Sequence, residues 1–322
     1  MKPIHIKWVL AHEPIDIFIR AAEKFIEVVE RKAPGQFDIE VLTLSEYSEK
    51  YNSDITTQTA NRISKHDLLD HMDDGRIEMS QMYTTWLAEK YEQDFLAFDL
   101  PFLFKDHDHA TRVLEGAPGQ QLLSSFSKES NIRGLAFTYS GGFRCLPAGK
   151  DVKSLADLAG ESVRTGMNPM ARDTFAAIGA RPMSMELEEM NVAVRDKYVI
   201  GGESAWPRIY PCDQNTFSKT VVDTGHSLFL TSIIVSLDWW NTLPEELRDI
   251  IAQSAVAAGR AERVKSIEDG EDTKVKLAQE GIKVVKLSES EKAEFKAKTQ
   301  VVYTKFRDFF EPGLVDNIRK VH

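Results

Sequence analysis

The sequence is poor in cysteine: Cys145 and Cys212 are the only two among 322 residues. Two buried, unpaired thiols are the favoured interpretation, because cysteine is commonly buried without a partner. A disulfide stays open at this point, and the two residues do not decide the cellular compartment. Long apolar runs are also missing, since the longest, near Leu228 to Leu237, is about half of the ~20 residues that a membrane-spanning helix needs.

Excess positive charge is missing as well. Lysine and arginine number 40 against 50 aspartates and glutamates, which gives a net charge of −10. Nucleic-acid binding depends on clustered basic residues that neutralise phosphates, so we expect no nucleic-acid partner. A role at a membrane surface is disfavoured for the same reason. The charged and hydrophobic fractions, 28% and 42%, are typical of a globular protein. Its length favours two lobes over one.

The common catalytic motifs are absent from the sequence. It has no Gly-x-Ser-x-Gly, no Walker loop, and no Gly-x-Gly-x-x-Gly after a strand. A nucleophile set of Ser204, Glu203 and the distant His226 is conceivable but weakly supported. We therefore predict a protein that is not an enzyme and that carries no cofactor.

Two histidine-rich stretches raise the question of a metal site. In the segment from His66 to Asp73, histidine and aspartate recur at spacings that could place ligands on one helical face. A solvated helix face is the favoured interpretation, because no second cluster completes a coordination shell. The stretch from Asp106 to His109 is similar, and there Asp106 or Asp108 is predicted to cap a helix. We predict no metal ion.

Apolar periodicity predicts an α/β protein. Alternating apolar residues predict a first strand at 4–10, a helix follows His12-Glu13-Pro14, and a second strand begins near Phe37, which together form a βαβ unit. The polar stretch 44–61 is interpreted as an insertion. The later predicted elements are strands at 77–82, 132–139, 221–222, 227–237 and 282–287, a long helix at 242–281 after Pro244, and a final helix opened by the capping box Ser288 to Glu291.

The stretch from Gly141 to Pro207 carries the polar residues around which we expect the chain to be organised. Arg144 lies on one predicted strand, Arg164 ends a second, and Glu203-Ser204 ends a third. A parallel sheet collects the carboxyl ends of its strands on one edge, so these side chains should converge on one crevice. The planar fork of an arginine matches a carboxylate with two parallel hydrogen bonds. The stretch therefore favours an acid-binding crevice.

Five short motifs occur over most of the chain in a recognisable order and spacing: Pro101-Phe102-Leu103-Phe104, Phe143-Arg144, Asp157-Leu158-Ala159-Gly160 through to Arg164, Ile178-Gly179-Ala180 and Glu203-Ser204-Ala205. In this order they resemble the solute-binding proteins of TRAP transporters, the DctP-like family. The chain departs from the family pattern at Ser204, where asparagine is usual, at Lys197, where glycine is favoured, and at Ile200, where aspartate is favoured.

The resemblance implies a two-lobed periplasmic-binding-protein fold with a hinge, a ligand cleft between the lobes and a long helix that crosses both. The hinge is expected at Gly141-Gly142, because glycine permits the bend there. Lobe I is expected to comprise residues 1–141 plus 228–270, and lobe II residues 142–227 plus 271–322.

The resemblance also implies a function and a set of site residues. The protein would capture a small organic acid anion and hand it to the membrane subunits of a TRAP transporter. Arg164 would anchor the carboxylate, Arg144 would be a second donor, and the further ligand contacts would be Ser204, Glu203, Trp206, Tyr83 and His12. Three alternatives stay open: Trp206 in the core of a lobe, Glu203 paired only with Arg144, and Trp86 as a core residue.

No apolar signal segment follows Met1, which taken alone favours a cytoplasmic protein. The resemblance implies instead a periplasmic protein whose secretion signal has been removed, and we expect a monomer. The rival functions are a cytoplasmic α/β enzyme acting on a small acid and a sensor-associated binding module. The ligand stays open among a monocarboxylate, a hydroxy or keto acid, a sugar acid and a sulfonate.

Overall fold

The computed structural model describes residues 2–12, 16–51, 62–128 and 130–322. Its strands are β1 (Ile4–Leu10), β2 (Phe37–Thr43), β3 (Met79–Tyr83), β4 (Ile132–Ala148), β5 (Ser162–Thr165), β6 (Arg181–Ser184), β7 (Ser204–Ala205), β8 (Thr220–Asp223), β9 (Leu228–Ser236) and β10 (Lys283–Lys286). The mixture of strands and helices confirms the predicted α/β class.

The helices are α1 (Asp16–Lys32), α2 (Leu44–Tyr51), α3 (Lys65–Asp73), α4 (Thr84–Lys90), α5 (His107–Glu115), α6 (Ala117–Ser125), α7 (Pro169–Ala177), α8 (Met190–Arg195), α9 (Leu237–Thr242), α10 (Glu245–Gln279), α11 (Glu289–Lys298), α12 (Gln300–Lys305) and α13 (Leu314–Arg319). Short 3-10 turns lie at Gln93–Asp99, Phe126–Lys128, Leu155–Leu158, Leu187–Glu189, Trp206–Arg208 and Gln214–Thr216. Within the described residues, no helix is both long and apolar enough to cross a membrane.

The chain forms two compact units, and each is built from separated segments. The first unit comprises Met1–Glu92, Leu114–Ser140 and Leu230–Val264, and the second comprises Gln93–Val113, Gly141–Phe229 and Lys265–His322. The lobe boundaries inferred from the sequence stay a prediction.

A sheet with the strand order β2-β1-β3-β9-β4 forms the centre of the first unit. Strand β1 is parallel to both β2 and β3, whereas β9 is antiparallel to β3. This arrangement confirms the predicted βαβ unit. Helix α1 covers β1 with its apolar face, where the rings of Trp8 and Phe25 meet edge to face at 5.1 Å.

In the second unit, β4 pairs with both β7 and β8 in antiparallel orientation, and β10 pairs with β8 in parallel orientation. Strands β5 and β6 form a separate parallel pair. The expectation that one parallel sheet collects the polar strand ends is therefore wrong here. The strand that carries Arg144 pairs in antiparallel register with the strand that begins at Ser204.

Strand β4 is longer than the sequence predicts. Seventeen residues continue through Gly141 and Gly142, whose φ angles of +107° and +81° only glycine adopts at low cost. The apolar alternation of 132–139 therefore marks only the first half of the strand. Whether the two glycines act as a hinge stays a prediction.

Several local predictions are confirmed. Helix α10 begins directly after Pro244 and runs for 35 residues. The Asp106 carboxylate caps α5 by accepting a hydrogen bond from the amide of His109 at 2.7 Å, and Ser288 and Glu291 form the expected capping box.

Other local predictions are corrected or fall outside the described residues. The polar stretch 44–61 begins with a helix, α2, and its residues 52–61 lie outside the described residues. Residues 13–15, where a turn is predicted, also lie outside them. Trp86 lies within helix α4, beyond the strand end at Tyr83. The described residues hold no group of three or more His, Cys, Asp or Glu side chains placed to bind a metal ion.

Both cysteines are free thiols, which confirms the favoured interpretation of unpaired residues. Cys145 is buried as expected, whereas Cys212 is half-buried, so the expected burial is wrong for Cys212. Burial raises the pKa of both thiols, so neither is an activated nucleophile.

Candidate anion-binding site

Arg164 is fixed by the segment that runs beside β5. Its amide donates to the carbonyl of Gly201 at 2.8 Å, and the amide of Glu203 donates back to the carbonyl of Arg164 at 3.1 Å. A Cβ on Gly202 would lie 2.5 Å from the Cβ of Arg164, so only glycine allows this approach. The close pairing sets Glu203 beside the side chain of Arg164.

The guanidinium of Arg164 is held in place by two backbone carbonyls. Nε donates to the carbonyl of Met185 and Nη1 donates to the carbonyl of Glu203, both at 3.0 Å. Burial lowers the pKa of Arg164 to about 10, although the nearby Glu203 opposes that effect, so the group stays charged at neutral pH. Among the described residues, no side chain or carbonyl accepts a hydrogen bond from its Nη2. The fork is therefore oriented while part of its donor capacity is left for another acceptor.

Two further arginines lie in the same part of the second unit. Arg144 places its Nε 3.7 Å from Oε2 of Glu203, and its Cζ lies 4.0 Å from the ring centroid of Phe229. Arg208, which we did not single out from the sequence, has its Cζ 5.7 Å from the same ring. All three arginine side chains are buried. We refer to Arg144, Arg164, Arg208 and Glu203 as the arginine cluster.

Glu203 is the carboxylate of the cluster and is fully buried. The amide of Gly166 donates to Oε1 at 2.6 Å, and Nε2 of His226 lies 3.3 Å from Oε2. Burial alone would raise the pKa of Glu203, but Arg144, His226 and Arg164 together hold it well below its usual range. The group is therefore ionised, and it offsets only part of the positive charge around it.

Asp99 adds a second carboxyl group whose charge interacts with Arg144 and Glu203. Its side chain is 6% exposed, and Oδ2 has no hydrogen-bond partner among the described residues. Burial raises the pKa of Asp99 to about 7; Arg144 opposes this shift and Glu203 adds to it. Near neutral pH, Asp99 is thus only partly ionised. The cluster retains net positive charge, and because buried uncompensated charge is costly, it favours a bound anion.

Ser204 and Trp206 differ in their surroundings. The hydroxyl of Ser204 is buried and has no hydrogen-bond partner among the described residues. No base within the described part of the chain accepts a hydrogen bond from it, as an activated serine would require. His226 instead contacts Glu203, and its Nδ1 lies 2.8 Å from Oγ1 of Thr224. The ring of Trp206 belongs to a core cluster with Cys145, and Lys274 lies 4.8 Å above it. Ligand contact by Ser204 and Trp206 stays a prediction.

Tyr83 and His12 lie together in the first unit. Their rings stack with centroids 3.3 Å apart, and the amide of Tyr83 donates to Nε2 of His12 at 3.2 Å. Phe18 supports the pair, with its centroid 6.0 Å from that of Tyr83. Both side chains are buried, at 8% and 2% exposure. Their predicted role as ligand contacts is not tested by this geometry.

Arg208 and Asp99 lie in the candidate site but were not predicted from the sequence. Asp99 carried a usable signal, because a charged residue inside the apolar run from Phe95 to Phe104 rarely lies there without a role. Arg208 carried no such signal, because the sequence after Trp206-Pro207 does not distinguish a buried arginine from an exposed one.

Residues 10–308 match the family described as "Bacterial extracellular solute-binding protein, family 7", DctP. The chain belongs to this family. The predicted resemblance to the TRAP transporter solute-binding proteins is confirmed, and this is a family of solute-binding proteins, not of enzymes.

Characterised relatives and a solved structure agree with this membership. The chain is 24% identical over 300 residues to the C4-dicarboxylate-binding periplasmic protein DctP of Shewanella loihica, which covers 92% of this chain and 83% of that one. It is 29% identical over 165 residues to the DctP of Vibrio cholerae; that match spans only about half of each protein, 51% of this chain and 49% of the other. A TRAP periplasmic solute-binding protein from Pseudomonas putida, solved with bound D-glucuronate, has a TM-score of 0.82 at 22% identity and covers 99% of this chain and 98% of that one.

Proposed function

We propose that this protein is an extracytoplasmic solute-binding protein that captures a small organic acid anion in the arginine cluster and delivers it to TRAP transporter membrane subunits. The observation that carries the proposal is the charge of the cluster. The buried guanidinium groups of Arg144 and Arg164 both act on the ionised carboxylate of Glu203, and the nearby carboxyl group of Asp99 is only partly ionised, so positive charge is in excess. Such a site is incomplete without a negative partner.

The geometry of Arg164 favours a carboxylate as that partner. Two backbone carbonyls fix the plane of its guanidinium, so the side chain loses little conformational entropy when an acid binds. A fork of fixed plane pairs with the two oxygens of a carboxylate in parallel hydrogen bonds. A sulfonate presents its oxygens in a different geometry and is the second choice. The buried hydroxyl of Ser204 is available as a further donor.

The relatives support the same ligand class. The Shewanella loihica protein is a C4-dicarboxylate-binding protein, and the Pseudomonas putida protein was solved with D-glucuronate, which also carries a carboxylate. We propose a periplasmic location for this chain by the same analogy, because both relatives are named as periplasmic proteins. We also expect a monomer, as inferred from the sequence. Release of the bound acid to membrane subunits is the step that would connect the binding site to transport.

Replacement of Arg164 by lysine tests the proposal. First, titration calorimetry with small acids and their neutral amides identifies an acid that binds the parent protein. Arg164→Lys keeps the charge but loses the bidentate fork, so its affinity for that acid should fall by at least ~2 kcal/mol, the lower part of the range for a desolvated charge pair. Arg144→Lys should cost less, because its long contact with Glu203 does not fix the guanidinium as tightly.

Arg195→Lys is the matched control for this experiment. Arg195 is exposed, and among the residues that the structure describes it forms an ion pair only with its neighbour Asp196, so its replacement should leave the affinity unchanged. Circular dichroism should confirm that each variant is folded. A folded Arg164→Lys protein that binds the acid as tightly as the parent would show that Arg164 is not the anchor.

A further inference from the structure

A cavity lies beside strand β4 in the same unit as the arginine cluster. It has a volume of about 560 Å³, and its lining includes Phe143 of β4, Gly270 of α10 and Ala293 of α11. Successive side chains on a strand point to opposite faces, so Phe143 faces this cavity while the next residue, Arg144, contacts Glu203. The volume lies within the ~300–1,000 Å³ range of small-molecule sites. We call it the β4 cavity.

One wall of the β4 cavity is aromatic. Phe102, His107 and Phe143 all line it and are half-buried, and the rings of His107 and Phe143 meet edge to face at 4.8 Å. Phe102 has a φ of +57°, a left-handed conformation that costs roughly 1–2 kcal/mol for a residue with a side chain. Its amide donates to the carbonyl of His226 at 2.7 Å, which holds that conformation. The wall therefore presents aromatic surface at a fixed position.

The rim of the cavity carries more positive than negative charge. Its three carboxylates are already paired: Asp223 and Glu271 lie 3.4 Å and 2.8 Å from Nζ of Lys274, and Glu289 lies 3.0 Å from Nζ of Lys292.

Two further rim lysines, Lys105 and Lys296, form no ion pair with any residue that the structure describes. Burial lowers the pKa of His107, so that ring adds no charge near neutral pH. On a protein of net charge −10, this local excess selects for an anion.

We propose that the β4 cavity is a second ligand site, separate from the arginine cluster, that binds an aromatic carboxylate. The ring system of the ligand lies against Phe102 and Phe143, where aromatic pairs gain energy beyond burial alone. Its carboxylate reaches the two lysines at the rim, Lys105 and Lys296. A neutral aromatic molecule would make the ring contacts but would not pair with the lysines. A small polar acid would pair with the lysines but would not make the ring contacts.

Binding of 2-naphthoate and of its neutral amide, 2-naphthamide, to the full chain tests this proposal. Fluorescence titration should show saturable binding of the acid, about tenfold tighter than that of the amide, because two exposed charge pairs each contribute modestly. The double variant Lys105→Glu/Lys296→Glu should lose about tenfold in affinity for 2-naphthoate by the same argument. Both side chains are exposed, so the variant should fold.

Two controls make the outcome decisive. Lys286→Glu reverses an exposed lysine of the same unit that does not line the cavity, and it should leave binding of 2-naphthoate unchanged. Arg164→Lys should also retain binding of 2-naphthoate, because Arg164 belongs to the arginine cluster and does not line the β4 cavity. The proposal for the arginine cluster and the proposal for the β4 cavity can therefore fail independently. The proposal is overturned if no saturable binding occurs or if acid and amide bind equally. It is also overturned if binding is lost in Arg164→Lys but kept in the double lysine variant.

Discussion

The two faces of strand β4 hold charge in different ways. On one face, the side chains of Arg144, Arg164 and Glu203 are buried. Arg164 donates to two backbone carbonyls, and Arg144 lies beside the carboxylate of Glu203. On the other face, the lysines of the β4 cavity include Lys105, Lys292 and Lys296, which are exposed, and the aromatic rings supply the fixed surface. The same strand thus separates a site organised by buried charge from one organised by apolar contact.

This difference predicts how strongly each face responds to a change of charge. Interactions between charges weaken as the surrounding dielectric constant rises, and salt screens exposed pairs far more than buried ones. Removing one charge from the arginine cluster should therefore affect stability by several kcal/mol. Removing one from the rim of the cavity should have little effect.

The largest expected effect follows from Glu203→Gln. This change removes the negative charge that acts on the buried guanidinium groups of Arg144 and Arg164, and it weakens the contact with His226. Removing one partner of a buried ion pair typically costs about 3–5 kcal/mol in the free energy of unfolding. Urea denaturation at neutral pH, followed by circular dichroism, measures the loss.

Glu289→Gln is the matched change on the cavity face. Glu289 pairs with Lys292, but its side chain is 91% exposed. An exposed pair contributes about 0–1 kcal/mol, so this variant should unfold close to the parent. Equal losses from the two substitutions would contradict the distinction between the faces.

An intermediate effect is expected from Asp99→Asn, and it depends on pH. The folded pKa of Asp99 is raised to about 7 from an ordinary value of 3.8. Between these two values the unfolded chain has released a proton that the folded protein retains, so stability from this group falls as pH rises through the window. Asparagine does not titrate. The free energy of unfolding of the variant, measured relative to that of the parent, should therefore rise by roughly 2 kcal/mol from pH 5 to pH 8.

Urea denaturation of the parent and of Asp99→Asn at pH 5, 6, 7 and 8 measures this gain. Asp108→Asn, which removes an exposed carboxylate from the same unit, is the control for the loss of a solvated charge. Stability curves of the parent and of Asp99→Asn that run parallel across this range would show that Asp99 is not held in its protonated form by the fold.

The sequence predicted those parts of the fold and the site that have a local cause. Apolar alternation located β1, the caps located α5 and α11, and short motifs located Arg144 and Arg164. The antiparallel pairing of β4 with β7 depends on where distant segments meet, and no local pattern encodes it.

The burial of Arg208 could not be predicted for the same reason. A charged residue is buried only when the completed fold supplies its partners, so its sequence neighbours carry no signal of burial. The residues that line the β4 cavity range from Phe102 to Lys296 in the sequence, so only folding brings them together. No local pattern could therefore have predicted this cavity.

A small gain in stability is expected at Gly270 of helix α10, and Gly259 of the same helix provides the comparison. Gly259 and Gly270 both lie inside α10, where glycine costs about 0.5–1 kcal/mol relative to alanine. A Cβ on Gly259 would lie 2.6 Å from the carbonyl oxygen of Phe137, whereas a Cβ on Gly270 would lie 3.4 Å from the Cβ of Trp206, an ordinary contact. Only the second position lines the β4 cavity.

Gly270→Ala should therefore stabilise the protein by about 0.5–1 kcal/mol, because the helix gains propensity and the cavity accepts the methyl group. Gly259→Ala should destabilise it by about 1–3 kcal/mol, because the backbone must move to relieve the contact with Phe137. Urea denaturation of both variants under one set of conditions compares them directly. Helix propensity contributes equally to both, so opposite signs can arise only from the space around each site. If both variants shift in the same direction, the cavity beside Gly270 is closed in solution, and the proposed aromatic site loses its basis.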